Sequence, residues 1–301
     1  FGDNVDTDQI IPTNRITSDD PDHLAKYCLS GVDPEFTDRF APGDVVVAGT
    51  NFALFWYVLE GEPRRLIDNA EFRSYLLAVV GVGAVVSATL YAGVGIAGST
   101  PAVGVIPGNV DNALRQGLFQ VIAIVTTTGY ASMDVNAWDA SAQTILLFAY
   151  FLGGSAGSAA GSIKIVRWVL IEKSIGRSLF TSVHPKAVKP VRLGTEPVDD
   201  GTIRDVFVFV LLFLVLFVLS TVLLYLDSFR TPEVSLSGLD AMSVAIATLG
   251  NVGPGFGVVG PMNSFLPFSD VAKLYMILLM WIGRLEVLSV LVIFTPSFWR
   301  G

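Results

Sequence analysis

One cysteine, Cys28, and two histidines, His23 and His184, are all that 301 residues provide of the usual redox and metal-binding side chains. A lone thiol excludes an intrachain disulfide and a thiolate metal cluster, and reads as a small buried apolar residue. Two isolated histidines do not make a metal site. No cofactor and no resident metal are expected. Charge is scarce as well, with only 15% of residues Asp, Glu, Lys or Arg. A signal peptide is not visible, because the chain opens on FGDNVDTD without a basic leader. It also opens without Met, so the expectation is that the true start lies upstream.

What the chain has in quantity is apolar side chain: 52% of residues are hydrophobic and the mean hydropathy is +0.60. That is too greasy for a soluble chain of this length. The net charge of −8 is unevenly placed. Residues 1–50 hold ten acids against Arg15, Lys26 and Arg39, whereas residues 51–301 hold seventeen acids and sixteen bases. An acidic start argues against nucleic acid as a partner and suits an ordinary solvated surface.

Four apolar runs have the length and hydropathy of membrane spans. The first extends from about Phe72 to Ile96. The second begins near Thr144 with TILLFAYFL, breaks at GGSAGSAAGS (Gly153–Ser162), and resumes as IKIVRWVLI. The third is Asp205–Leu226 and the fourth Val271–Phe294. Arg64, Arg65 and Arg73 precede the first run. Lys164, Arg167, Lys173, Arg177, Lys186, Lys189, Arg192 and Arg204 lie between the second and third. The stretches 98–143 and 227–270 hold only Arg115 and Arg230 as bases. The positive-inside rule then makes residues 1–71 and 164–204 cytoplasmic in a multi-pass plasma-membrane protein.

Two polar runs, TTTGY at Thr126–Tyr130 and TLGNVGPG at Thr248–Gly255, sit between apolar segments and would enter from outside. Irregular backbone at membrane depth is tolerated only where it lines water or is buried in protein. Each comes after a short helix-compatible run, Asp111–Val125 or Ser237–Ala247, whose C-terminal carbonyl end would favour a cation. Thr126, Thr127, Thr128 and Gly129, with Asn251, Val252 and Gly253, would present carbonyls in place of an ion's hydration shell. The plain alternative is a pair of external loops. Two such loops facing one side favour a filter. In the broken second run, Gly153, Gly154, Ser155, Gly157, Ser158 and Gly161 read as an unwound hinge beneath that filter, against the alternative of close helix packing through small residues. Arg284, deep in the fourth run with Glu286 two residues on, is expected to face the water path.

At these residues the sequence resembles the Trk/Ktr superfamily of potassium transporters. VTTTGYASMDVNAWD, FLGGSAGSAAGSIKIVR, ATLGNVGPGFGVVGP and WIGRLEVLSVLVIFTPSFWR are similar to its third and fourth pore repeats, and GTNFALFWYVLEGEPRRLIDNAEFR to the cytoplasmic connection before them. The resemblance implies that Gly129 and Gly253 are filter glycines, that Gly153–Ser162 is the intramembrane gating loop, and that Arg284 lies near it. It further implies potassium ion and membrane lipid as partners, a homodimer, and a cytosolic nucleotide-binding regulatory subunit. The family pore uses four repeats, of which two are expected here.

Residues 1–49 resemble something else. GDNVDTDQIIPTNR, DPDHLAKYCLSGVDPEF and PGDVVVAGTNF are similar to the start of the small subunit of 3-isopropylmalate dehydratase, a lyase of leucine biosynthesis. There AG-x-NF continues into GCGSSRE, a substrate loop, whereas here Phe52 is followed by ALFWYV. An apparent chimera joined through AGTNF is expected, and forty-nine residues with two strands cannot build a stable core.

The expected fold is mainly α and integral to the membrane. Two span–pore-helix–filter–span repeats form half of a four-repeat, potassium-channel-like pore, after a short soluble β-containing fragment. The expected divisions are 1–49, a dehydratase-like fragment; 50–71, a cytoplasmic connection; 72–172, a pore repeat; 173–204, a cytoplasmic linker; and 205–301, a second pore repeat. The expected function is potassium transport, not enzymic catalysis. The alternative, a dehydratase small subunit, rests on residues 1–49 alone.

Overall fold

The computed structural model of the protein describes residues 49–50, 62, 64–93, 106–194, 196–231, 234–285 and 299. The chain divides into two units, Phe1–Val47 and Ala48–Gly301, and the described residues all belong to the second. Expectations for residues 1–48, for most of 50–63, for Glu286 and for the end of the fourth run lie outside the described residues.

A short helix, α1 (Arg64–Asp68), leads into α2 (Ala70–Tyr91). The Asn69 side chain starts α2 by accepting from Phe72 N at 2.9 Å, which supplies a partner to one of the orphan amides of the first turn. After Tyr91 the chain turns at Gly93, whose φ of 68° is one that glycine adopts without penalty. Next comes α3 (Val110–Val125), capped by Asn109. A 3₁₀ turn at Val135–Ala137 precedes α4 (Ala140–Ala149), capped by Asp139. The chain then leaves the helix at Tyr150 and re-enters it as α5 (Ile165–Val183).

The break expected in the second apolar run is therefore present. The helix after it is longer than expected: it runs eleven residues past the division placed at 172, to Val183. Beyond it lies a two-stranded antiparallel ribbon, β1 (Arg192–Leu193) with β2 (Glu196–Pro197). The third run is one helix, α6 (Asp200–Ser228), begun by Asp199 and starting five residues before the expected Asp205. Its 29 residues span about 44 Å, more than the roughly 30 Å of a bilayer's hydrocarbon core. Both α2 and α6 are long and apolar enough to cross a membrane by length and composition. A short helix, α7 (Gly238–Leu249), a 3₁₀ turn at Gly257–Val259 and α8 (Asp270–Arg284) complete the described elements.

The packing repeats. In the first half α2 lies along α3, and α3 meets α4; in the second half α6 lies along α7, and α7 meets α8. The two halves join where α4 also touches α7 and α5 packs on α6. At the centre sits α7, with every residue from Ser243 to Leu249 buried. Ala241, Ala245 and Ala247 let neighbouring backbones come close to it. Twelve residues give this helix only about 18 Å, so it enters the core and stops there. The ring of Phe256 meets Tyr150 edge-on, with centroids 6.0 Å apart, which fastens the chain after α7 to the end of α4.

Candidate functional site

The C-terminal ends of α3 and α7 carry the same backbone motif. After α3, Thr126 N donates to Ile122 O (2.9 Å) and Thr127 N to Ile124 O (2.9 Å). Thr128 N and Gly129 N both return to Ala123 O, at 3.0 and 3.2 Å. After α7, Gly250 N donates to Ile246 O (2.7 Å) and Asn251 N to Thr248 O (3.2 Å). Val252 N and Gly253 N both return to Ala247 O, at 2.9 and 3.3 Å. The dihedrals repeat with the bonds: φ is positive at Thr127 (54°) and Gly129 (68°), and again at Asn251 (55°) and Gly253 (105°). Left-handed backbone at Thr and Asn is uncommon, and its recurrence at matching positions marks one device built twice.

Its consequence comes from peptide geometry. Within one peptide unit the N–H and the C=O point opposite ways. The amides of Thr128 and Gly129 face back to α3, so the carbonyls of Thr127 and Thr128 face away from it. By the same reasoning the carbonyls of Asn251 and Val252 face away from α7. Among the described residues, no hydrogen-bond donor reaches any of these four oxygens. The two loops also meet: a Cβ built on Gly129 would collide with the Val252 carbonyl oxygen. Two sets of unpaired carbonyls thus lie side by side at the C-terminal ends of α3 and α7.

Of the seven residues singled out in the two runs, Thr126 has a different place from the rest. It caps α3, is buried, and turns its hydroxyl back to Ile122 O at 2.7 Å. Thr128 likewise donates its hydroxyl to Ala123 O (3.2 Å). Thr127 accepts at its Oγ1 from Gly161 N at 3.0 Å. Asn251 donates its side-chain amide to Met280 O on α8 at 3.2 Å.

The Gly/Ser run forms a closed loop under this pair. Its ends are tied where Leu152 and Ile163 form a parallel bridge and Gly153 N donates to Ile163 O (2.9 Å). Ile165 N donates to Gly154 O (3.1 Å), so the first turn of α5 completes the closure. Ser155 N donates to Gly49 O (2.8 Å) and Ser158 Oγ to Ser155 O (2.6 Å). Gly157 has a φ of 75° and is exposed. Arg284, at the C-terminal end of α8, donates from Nη1 to Ala159 O at 2.6 Å. A cleft of about 160 Å³ opens there, lined by Ser158, Gly161, Lys164, Arg167, Phe209 and Arg284 among others. The Arg167 guanidinium lies 3.7 Å from the centre of the Phe209 ring. The sequence-selected residues therefore gather into one region, the two Thr/Gly loops against the Gly/Ser loop and the Gly/Ser loop against Arg284.

Several residues that sequence reasoning passed over brace this region. Asn136 accepts from Gly257 N (2.7 Å) and donates to Gly257 O (3.0 Å), joining the segments that come after the two loops. Tyr150 donates its hydroxyl to Pro254 O at 2.8 Å. Glu71, in the first turn of α2, accepts from Ala156 N in the Gly/Ser loop. Partners 121, 104 and 85 residues apart leave no local sequence signal. Among the described residues, no group of three His, Cys, Asp or Glu is placed to hold a metal ion.

Comparison with known proteins identifies the family. Residues 56–300 match the model of the TrkH family, described as cation transport protein. The Trk system potassium uptake protein TrkH of Salmonella typhimurium is 29% identical over 257 residues, 85% of this chain and 49% of that protein. The Trk system potassium uptake protein TrkI of Halomonas elongata is 34% identical over 253 residues, 83% of this chain and 47% of that protein. The crystal structure of the potassium transporter TrkH from Vibrio parahaemolyticus superposes with a TM-score of 0.70 at 29% identity. It covers 84% of this chain and 50% of that one. The chain thus spans about half the length of the relatives it matches. With a family match from 56 to 300 and the same fold in a solved relative, the chain belongs to the TrkH family of cation transport proteins.

Proposed function

We propose that residues 49–301 form part of a pore through which potassium crosses the cell membrane. The loops after α3 and α7 act as filter segments, and residues 153–162 act as a gate. The observation that carries this reading is the duplicated loop, with the carbonyls of Thr127, Thr128, Asn251 and Val252 turned away from their own helices and unpaired. A cation that sheds water needs such oxygens in its place. The C-terminal ends of α3 and α7 add about 0.3–1 kcal/mol each in favour of a positive charge. The ion itself comes from relatives named as potassium uptake proteins.

A lipid setting is supported by α6, whose Leu211, Val215, Val218, Val222 and Leu226 form an exposed stripe. In water a patch of this kind is a liability, and in hydrocarbon it is satisfied. The bases of 164–204 support a cytoplasmic position for that segment. A homodimer and a cytosolic nucleotide-binding regulatory subunit come from family resemblance alone.

These 301 residues supply two filter segments, and a four-segment filter needs two more. Fused behind the first two repeats of the Vibrio relative, residues 51–301 should restore potassium uptake to a cell deficient in it. Expressed by themselves they should not. In the active fusion, Gly129→Ser should reduce uptake at least tenfold or lower the preference for potassium over sodium. Normal flux and selectivity in that variant would reduce the Thr/Gly runs to ordinary loops.

A further inference from the structure

The Gly/Ser loop does not hold its position unaided. Ser155, fully buried within it, has a hydroxyl with no hydrogen-bond partner among the described residues. A buried hydroxyl without a partner opposes the arrangement that buries it. Something outside the loop must therefore offset that cost. Three side chains reach in: Thr127 from the filter to Gly161 N, Arg284 from α8 to Ala159 O, and Glu71 from α2 to Ala156 N. The Glu71 tie is the only one of the three in which a carboxylate accepts from the loop. A hydrogen bond from an amide to a charged acceptor is among the stronger kinds in proteins. The bond measures 2.5 Å, is partly buried, and falls one residue after Ser155. Lys164, where the loop rejoins α5, attracts the same carboxylate electrostatically.

Resting on the gate reading above, we propose that Glu71 is a positioning residue: a latch that holds the Gly/Ser loop over the Ser155 segment, with Arg284 holding the loop from α8. The carboxylate accepts the Ala156 amide and so fixes the half of the loop that Arg284 does not reach. With the latch removed, the segment around Ser155 leaves its buried position. The bland alternative is that Glu71, being acidic in the first turn of α2, only complements that helix's N-terminal dipole.

The test uses the full 301-residue chain in liposomes, with Cys28→Ser to remove the native thiol and Ser155→Cys as reporter. Cysteine nearly matches serine in size, and the lost hydroxyl made no bond. A permeant maleimide reads how often position 155 is exposed, and Ser178→Cys on the exposed part of α5 serves as reference. Glu71→Met keeps the length and removes the acceptor, and it should raise the labelling rate at 155 about tenfold. Glu71→Gln keeps an acceptor oxygen without the charge, and its rate should fall between those of the parent and Glu71→Met, about threefold above the parent. Equal rates in Glu71→Met and parent overturn the latch. So does a Glu71→Gln rate matching Glu71→Met, which is what a dipole role requires. Should Glu71→Met fail to fold, Glu71→Asp shortens the reach by one methylene and should also label several-fold faster, and a parent rate there overturns the proposal too. No step depends on ion flux, so failure of the pore reading in the fusion experiment remains a separate result.

Discussion

Gly129 and Gly253 occupy matching positions, yet an added methyl group meets different surroundings at each. At Gly129 a Cβ would strike the Val252 carbonyl oxygen and come within 2.9 Å of Pro254 Cδ. At Gly253 it would meet nothing within 4 Å. Both residues have positive φ, which costs a side chain about 1–2 kcal/mol. In an active fusion, Gly129→Ala should therefore impair potassium uptake and thermal stability more than Gly253→Ala. Uptake assays and melting curves of the two variants side by side check the order, and equal effects would count against the close approach of the loops. Asn136 supports a second prediction at this scale. Gly257 N can only donate, so the Asn136 Oδ1 must face it, and Nδ2 faces the carbonyl. Asn136→Ala loses both bonds and should cost about 1–3 kcal/mol in unfolding of the detergent-solubilised protein. Asn136→Asp keeps the acceptor, and Gly257 O retains Asn263 Nδ2 at 2.9 Å, so its loss should be smaller.

Among the elements, α7 is the most exposed to damage at its start. Ser237 accepts from Asp240 N at 3.1 Å while Asp240 accepts from Ser237 N at 2.9 Å, a reciprocal cap. The helix has only twelve residues and delivers the second carbonyl loop at its other end. Ser237→Ala should cost about 1 kcal/mol and speed amide exchange at Asp240. Unchanged protection in hydrogen exchange would show that packing alone holds the first turn. The closing helices of the two halves behave differently. After α4 the chain runs irregular from Tyr150 to Lys164, whereas α8 runs unbroken from Asp270 to Arg284. Large side chains are absent between Gly153 and Ser162, and that run yields the loop. The apolar series VAKLYMILLMWIGR continues as helix.

At the scale of the molecule, the distribution of basic residues predicts which side each loop faces. The positive-inside rule predicts Ser178, among the bases between α4 and α6, on the cytoplasmic side and Ser235, after α6, on the outside. Both side chains are exposed, whereas Ser174, earlier in the same helix as Ser178, is buried and would report poorly. Cysteines introduced at Ser178 and Ser235, with Cys28 replaced, should react with impermeant thiol reagents from inside and outside respectively. The reverse pattern would invert the whole arrangement. Exposed apolar residues on α6 and α8, among them Leu211 at 62% and Trp281 at 66%, should make the protein aggregate once detergent is withdrawn. A monodisperse, lipid-free protein in plain buffer would contradict the lipid-facing assignment.

The sequence by itself marked the apolar runs, the short helices and the polar runs, although α2 stops at Tyr91 rather than near Ile96 and α6 starts five residues before Asp205. These depend on local quantities: run length, apolar content, glycine and the capping residues Asn69, Asn109, Ser237 and Ser269. It also marked Gly153–Ser162 as a break, because a ten-residue stretch without a large side chain has little to hold it as a packed helix. It misjudged where α5 ends, since Glu172 to Val183 is amphipathic and polar enough to read as a linker. Only the tertiary structure decided which carbonyls point where. That depends on Thr128 and Gly129 both returning to Ala123, and on Val252 and Gly253 both returning to Ala247. It also decided the braces, Glu71 to Ala156, Tyr150 to Pro254 and Asn136 to Gly257. The physical reason is separation: those partners lie 85 to 121 residues apart, and only the packing of helices brings a side chain to a backbone group that far along the chain.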